Sequence, residues 1–272
     1  MTNILNNCNN LINNFHNCSD FGQDPKETCF SCLRNSFYGS GTDTYNCLKK
    51  LCYYTINYGP AYVNEIYSFL KKSEILESFK KDNINIYSLG SGFSPDYIAM
   101  EKYIKKNEVN FKLFSYFGFD IEPLWRDITQ DAIPILADLT RVPINYNNVD
   151  IIFLNKLFST LKNHNSERNF LNRFAIDLKT LPTEAYIIFN DINHYNMGRD
   201  DFDRFMQSNN FKLIEKYYFN IENAYSDNYT ELDTKLNVCS IPDNLCDTTN
   251  NFSFDSKIEP NKTIFFLYQK GS

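Results

Sequence analysis

The chain predicts an α/β fold: a mostly parallel sheet with helices on both faces, preceded by a small, mainly helical, cysteine-rich segment. Three observations carry this. Short apolar runs end on glycine, acidic or amide residues; helical patterns separate those runs; and Cys8, Cys18, Cys29, Cys32, Cys47 and Cys52 crowd the amino-terminal part. Strands alternating with helices imply a parallel sheet covered on both sides, with ligands bound outside the carboxyl ends of its strands. The expected division places the helical segment at 1–82 and the sheet at 83–272.

The first run, Ile84 to Leu89, leads into Gly90-Ser91-Gly92 and then a helical pattern from Pro95 to Lys106. This is a strand, a tight turn and a helix start. Glycine removes the Cβ that would collide with a ligand, and the free N–H groups of a helix start attract oxygens. Many turns need glycine for conformation alone, so the following runs decide the meaning. Phe111 to Phe119 ends on Asp120, a carboxylate placed to hold two vicinal ribose hydroxyls; a solvated strand end or a helix cap is the other reading. Further on, Ile133 to Leu139 carries Asp138, Val149 to Leu154 leads into Asn155, and Ala185 to Asn190 leads into Asp191.

In order and character these residues resemble the class I S-adenosylmethionine-dependent methyltransferases. Leu89-Gly90-Ser91-Gly92 is similar to the family's glycine motif, Gly118-Phe119-Asp120 to its ribose-binding motif and Ala137-Asp138-Leu139 to its adenine-side motif. Val149 to Asn155 is similar to the fourth strand, which faces the transferred methyl. Phe211 to Phe219 and Lys262 to Tyr268 read as a sixth and a seventh strand, a terminal pair that the family adds to the Rossmann pattern and a dehydrogenase would not need. The resemblance implies a Rossmann-like, seven-stranded methyltransferase sheet. It also implies S-adenosylmethionine held by Leu89, Gly90, Ser91, Gly92, Asp120, Ile121, Asp138, Leu139 and Asn155, and methyl transfer to an acceptor the sequence does not name. Ser88 stands where the family often has an acid, and Ser94-Pro95 where it has a third glycine, although proline suits a first helical turn. No Asn-Pro-Pro-Tyr or Asp-Pro-Pro-Tyr tetrapeptide follows the fourth strand.

Substrate groups would approach Asn155-Lys156 and the stretch Asn190 to His194, so Asn155, Asp191 and His194 are the catalytic candidates. An imidazole titrates near neutrality, which suits His194 as a general base; a loop histidine without a role is the alternative. Asp191 serves either the substrate or the cap of the helix containing Phe202, where Asp200 and Asp201 lie closer. His164 has no evident partner.

Cys29-x-x-Cys32 and Cys47-x4-Cys52 have the paired spacing of a tetrahedral structural zinc site, with Cys18 or His16 as substitutes; ordinary buried thiols are the competing reading. Next, Gly59-Pro60 is expected to break the stretch Tyr53 to Leu70 into two helices whose tyrosines pack against the sheet. The polar segment 220–261, with Cys239 and Cys246, reads as a lid, a recognition segment or a surface loop. With 43% hydrophobic residues and 16% aromatics the chain is globular, and its net charge of -6 argues against broad nucleic-acid binding. It shows no membrane-length apolar run and no signal-peptide pattern, so the expected location is cytoplasmic. Two other functions compete: a catalytically silent cofactor-fold adaptor with a zinc module, and a nicotinamide-dependent oxidoreductase.

Overall fold

The computed structural model describes residues 1–14, 47–129, 131–194, 197–219 and 262–271, with 108, 110 and 112 left out. The elements run α1 (Thr2–Asn14), α2 (Leu48–Ser73), β1 (Asn83–Leu89), α3 (Pro95–Lys106), β2 (Leu113–Asp120), α4 (Trp125–Ile128), β3 (Ile135–Leu136), β4 (Ile151–Asn155), α5 (Leu157–Asn163), α6 (Glu167–Asp177), β5 (Tyr186–Ile192), α7 (Arg199–Ser208), β6 (Phe211–Phe219) and β7 (Thr263–Lys270). The strands form one sheet in the order β3-β2-β1-β4-β5-β7-β6. Only β7 is reversed, running antiparallel to both β5 and β6.

Residue alternation builds the layers. Ile151 and Phe153 of β4 and Phe265 and Leu267 of β7 point to one face, where they join α1, α2, α3 and α4. Ile152 and Leu154, with Ile264, Phe266 and Tyr268, point to the other and meet Phe158, Phe170, Phe174 and Phe202 from α5, α6 and α7. Both faces are covered, so these strands read as continuous apolar runs rather than alternating ones. The chain winds outward from β1 to β3 and then returns to place β4 on the other side of β1. A crevice opens at the carboxyl ends where that order reverses. The register sets Leu89 opposite Phe119 and Leu154, and Asn155 opposite Asn190.

The expected third strand is much shorter than the apolar run that announced it. Only Ile135 and Leu136 pair, with Phe119 and Asp120 of β2. This is a sheet edge, Pro134 cannot donate to a ladder, and Asp138 turns the chain by accepting from the Thr140 N–H at 3.0 Å.

Gly59-Pro60 does not break α2, which runs unbroken through Pro60. An interior proline costs about 3 kcal/mol, whereas each fully buried Leu, Ile or Phe contributes about 1.5–3 kcal/mol. Leu51, Ile56, Ile66, Phe69 and Leu70 are all fully buried, so packing wins. Gly59 serves close approach: a Cβ there would lie 2.5 Å from Met1 Cε and 3.3 Å from the Phe93 ring. Phe69 stacks on Phe265 of β7 at 4.7 Å, which fixes the helix on the sheet.

Of the expected zinc set, Cys29 and Cys32 lie outside the described residues, as do His16, Cys18 and the segment 220–261 with Cys239 and Cys246. Cys47 precedes α2, and Cys52 is buried in the core with Cys8 of α1. The contact with Cys8, reinforced by burial, pushes the Cys52 thiol well above its ordinary pKa. That favours the thiol over the thiolate that binds zinc. Among the described residues no three metal-ligating side chains cluster, and no helix is long and apolar enough to cross a membrane.

Candidate functional site

The turn after β1 is shaped by three left-handed residues, Gly90 (φ 66), Gly92 (φ 53) and Ser94 (φ 60). A Cβ at Gly90 would stand 2.7 Å from Leu157 Cδ1, so glycine is needed there for space as well as conformation. The end of β2 holds the turn in place. The Ser91 N–H donates to the Phe119 carbonyl at 3.0 Å, and the Gly92 N–H to Asp120 Oδ2 at 2.8 Å.

Asp120 Oδ1 accepts from the Glu122 N–H at 3.0 Å. A carboxylate offers about four lone-pair positions, so each oxygen keeps one for a ligand. Burial raises the Asp120 pKa to about 6, against the lowering effect of the Glu122 and Gly92 N–H groups. Beneath the turn, Asp96 is fully buried, accepts from Tyr116 Oη at 2.9 Å and is likewise raised by burial to about 6. Ser88, two places before Gly90, is also fully buried.

Above the turn lies a cavity of about 430 Å³, walled by Gly90, Ser91, Gly92, Asp120, Ile121, Asp138, Leu139 and Asn155 on the sheet side. Every residue the sequence singled out for the cofactor is here except Leu89, which is buried in the core. Asp138 Oδ1 accepts from Thr140 Oγ1 at 2.6 Å, and its second oxygen meets Arg141 Nε at 3.2 Å.

The remaining wall comes from elsewhere. Tyr54, Tyr62 and Ile66 of α2 line it with Trp125 of α4. The tyrosine stripe, expected to pack against the sheet rather than to form a base-stacking platform, lines this cavity through Tyr54 and Tyr62, and Tyr58 stacks on Tyr62 at 6.0 Å. Lys156, left-handed at φ 53, reaches across the ends of β5 and β7. Its ammonium lies 2.8 Å from Glu65 Oε1 and donates to Asn190 Oδ1 at 3.0 Å and Thr263 Oγ1 at 2.9 Å, so its three protons are taken. Asn190 Nδ2 completes the ring by donating to Glu65 Oε1 at 2.8 Å.

Asn155 is different. It is 8% exposed and lines the cavity, yet neither its Oδ1 nor its Nδ2 has a hydrogen-bond partner. Of the other catalytic candidates, Asp191 is buried and its Oδ2 accepts from the Ser159 N–H at 2.9 Å. Its carboxylate thus caps α5, not the helix containing Phe202. Burial raises its pKa. Neither Asp191 nor His194 lines the cavity, whereas His164, from the end of α5, does.

No family model matches the chain, and no curated protein matches it. Solved structures similar to it include the plantazolicin methyltransferase BpumL in complex with SAH, with 12% identity, 99% of each chain covered and a TM-score of 0.49. A second is an S-adenosylmethionine-dependent methyltransferase from Clostridium acetobutylicum, with 10% identity, 91% of this chain and 100% of that one covered and a TM-score of 0.47. A third is a TehB-like SAM-dependent methyltransferase from Corynebacterium glutamicum, with 12% identity, 75% and 87% covered and a TM-score of 0.43. The sheet order, with its reversed last strand, resembles that of the class I S-adenosylmethionine-dependent methyltransferases.

Proposed function

We propose that the protein is an S-adenosylmethionine-dependent methyltransferase. The observation that carries this reading is Asp120, a half-buried carboxylate at the end of β2 tied to the glycine turn at the switch point of the sheet. The wall around it fits an adenosyl ligand. Ser91 Oγ is buried without a partner, Asp120 keeps an acceptor site on each oxygen for vicinal hydroxyls, and Ile121 and Leu139 offer apolar surface to a planar base. Bound there, S-adenosylmethionine supplies an electrophilic methyl group on a sulfonium.

The chain's own contribution is mainly positional. Asp120 and the turn orient the nucleoside. Tyr54, Tyr62 and Trp125 exclude water from the opposite wall, and Asn155, at the end of β4, stands on the side from which an incoming nucleophile approaches. The β6–β7 pair speaks against the nicotinamide-dependent alternative, which has no use for it.

Calorimetric titration with S-adenosylhomocysteine and, separately, with NAD tests the reading. One adenosyl ligand per chain is expected, and Asp120→Ala should weaken it by about 2–4 kcal/mol through two lost charge-assisted hydrogen bonds. Binding of NAD with no binding of either adenosyl-sulfur compound would overturn the proposal.

A further inference from the structure

His164, which the sequence alone gave no role, lines the cavity together with Leu157, Thr160 and Leu161. Their spacing puts these four residues on one face of α5 and the residue that ends it. That face begins at the glycine turn, where a Cβ on Gly90 would stand 2.7 Å from Leu157 Cδ1. At 1.5 Å per residue His164 lies about 10 Å further along the helix axis.

This part of the cavity has apolar walls, Leu157 and Leu161 from α5 and Ile121 and Leu139 from the ends of β2 and the segment after β3. A planar base fits between such walls. Five polar or charged side chains from the same segments also line it, besides the Asp120 carboxylate: Glu122, Asp138, Thr140, Thr160 and Ser166. Each is engaged within its own loop or helix. Glu122 Oε1 accepts from the Leu124 N–H at 2.9 Å, and Thr140 Oγ1 donates at 2.6 Å to Asp138 Oδ1, whose second oxygen meets Arg141 Nε at 3.2 Å. Thr160 Oγ1 donates to the Lys156 carbonyl at 3.0 Å and Ser166 Oγ to the Leu161 carbonyl at 3.1 Å. His164 differs: its exposed ring has no hydrogen bond or ion pair within the described residues. A neutral imidazole carries one donor and one acceptor nitrogen.

With the ribose on Asp120, the 6-amino edge of an adenine points away from the sugar, towards the end of α5. We propose that His164 is a specificity residue for the nucleobase, its ring nitrogen accepting a hydrogen bond from the 6-amino group. This rests on the methyltransferase reading, and the test separates the two.

The full chain is titrated calorimetrically with S-adenosylhomocysteine and with its 6-deamino analogue, whose base is unsubstituted purine. Wild type should bind the analogue about fivefold more weakly, the worth of one neutral hydrogen bond. His164→Leu should bind S-adenosylhomocysteine about fivefold more weakly than wild type does and hold the two ligands within about twofold of each other, because the amino group has then lost its partner. A residue that only shapes the slot would weaken both ligands together and leave their ratio unchanged. His164→Gln keeps an acceptor and should recover the preference, which guards against a folding defect in the leucine variant. Failure of wild type to bind S-adenosylhomocysteine would sink the methyltransferase reading and this inference with it. Normal S-adenosylhomocysteine binding by a wild type indifferent to the amino group would overturn the inference alone. So would a His164→Leu variant that keeps the fivefold preference, or a His164→Gln variant that lacks it.

Discussion

The two sides of the cavity are built by different physics. On the β1–β2 side the working parts are mostly backbone: left-handed glycines, N–H groups and the Asp120 carboxylate that fastens them. The left-handed turn there is set by its own residues and fastened by the next strand. On the α2–β4 side the working parts are side chains brought together from distant segments, with Glu65 and Asn190 joined across 125 residues of sequence. One side can be read locally, while the other exists only once α2 has docked on the sheet. Under the proposed function, the first side would hold the cofactor and the second would select the acceptor.

The largest effect is expected where the second side is held together. Lys156→Met leaves Glu65, 1% exposed, without its cation, and should cost about 3–5 kcal/mol in urea unfolding. The double variant Glu65→Leu, Lys156→Met should recover most of that, since well-packed apolar pairs replace buried ion pairs at little cost. A single variant within about 1 kcal/mol of wild type would mean that the pair does not hold α2 to the sheet.

A smaller effect is expected at the turn. Gly90→Ala forces a Cβ into left-handed backbone and to within 2.7 Å of Leu157 Cδ1. The conformational part alone is about 1–2 kcal/mol, and the variant should weaken adenosyl binding. Unaltered adenosyl affinity would take the turn out of the binding site.

The smallest effect is a pH dependence from two carboxyls of the first side. Asp96 and Asp120 are both raised from 3.8 to about 6 by burial. The folded state therefore binds more protons than the unfolded chain between about pH 4 and pH 6, and stability of the unliganded protein falls as pH rises through that window. Asp96→Asn should flatten the fall. Ribose hydroxyls donate best to an ionised carboxylate, so S-adenosylhomocysteine affinity should be level above neutrality and decline below about pH 6, a decline lost in Asp120→Asn. Identical pH profiles for wild type and both variants would refute the assignment of these carboxyls.

What was legible in the sequence follows the same division. The strand ends, the glycine turn and Asp120 could be read because apolar runs buried on both faces and obligatory glycines leave local traces. The continuity of α2 could not. Met1 and Phe93, which press on Gly59, lie outside that helix, and the burial that outweighs Pro60 comes from α1, α3 and the sheet. Tyr54 and Tyr62 carry the spacing of one helix face, which identifies a surface but not what it covers. Asp191 read as a cleft residue because it follows a polar strand end, yet its carboxylate serves the Ser159 N–H. Nothing local to Lys156 or Glu65 announces that they pair.

The claim that the two sides divide cofactor from acceptor is tested most directly by titrating S-adenosylhomocysteine into Asp120→Ala and Asn155→Leu in parallel with wild type. The account predicts that Asp120→Ala loses most of its affinity and that Asn155→Leu retains it within about twofold, since a residue that serves the acceptor leaves cofactor affinity unchanged. Retained affinity in Asp120→Ala together with lost affinity in Asn155→Leu would contradict it.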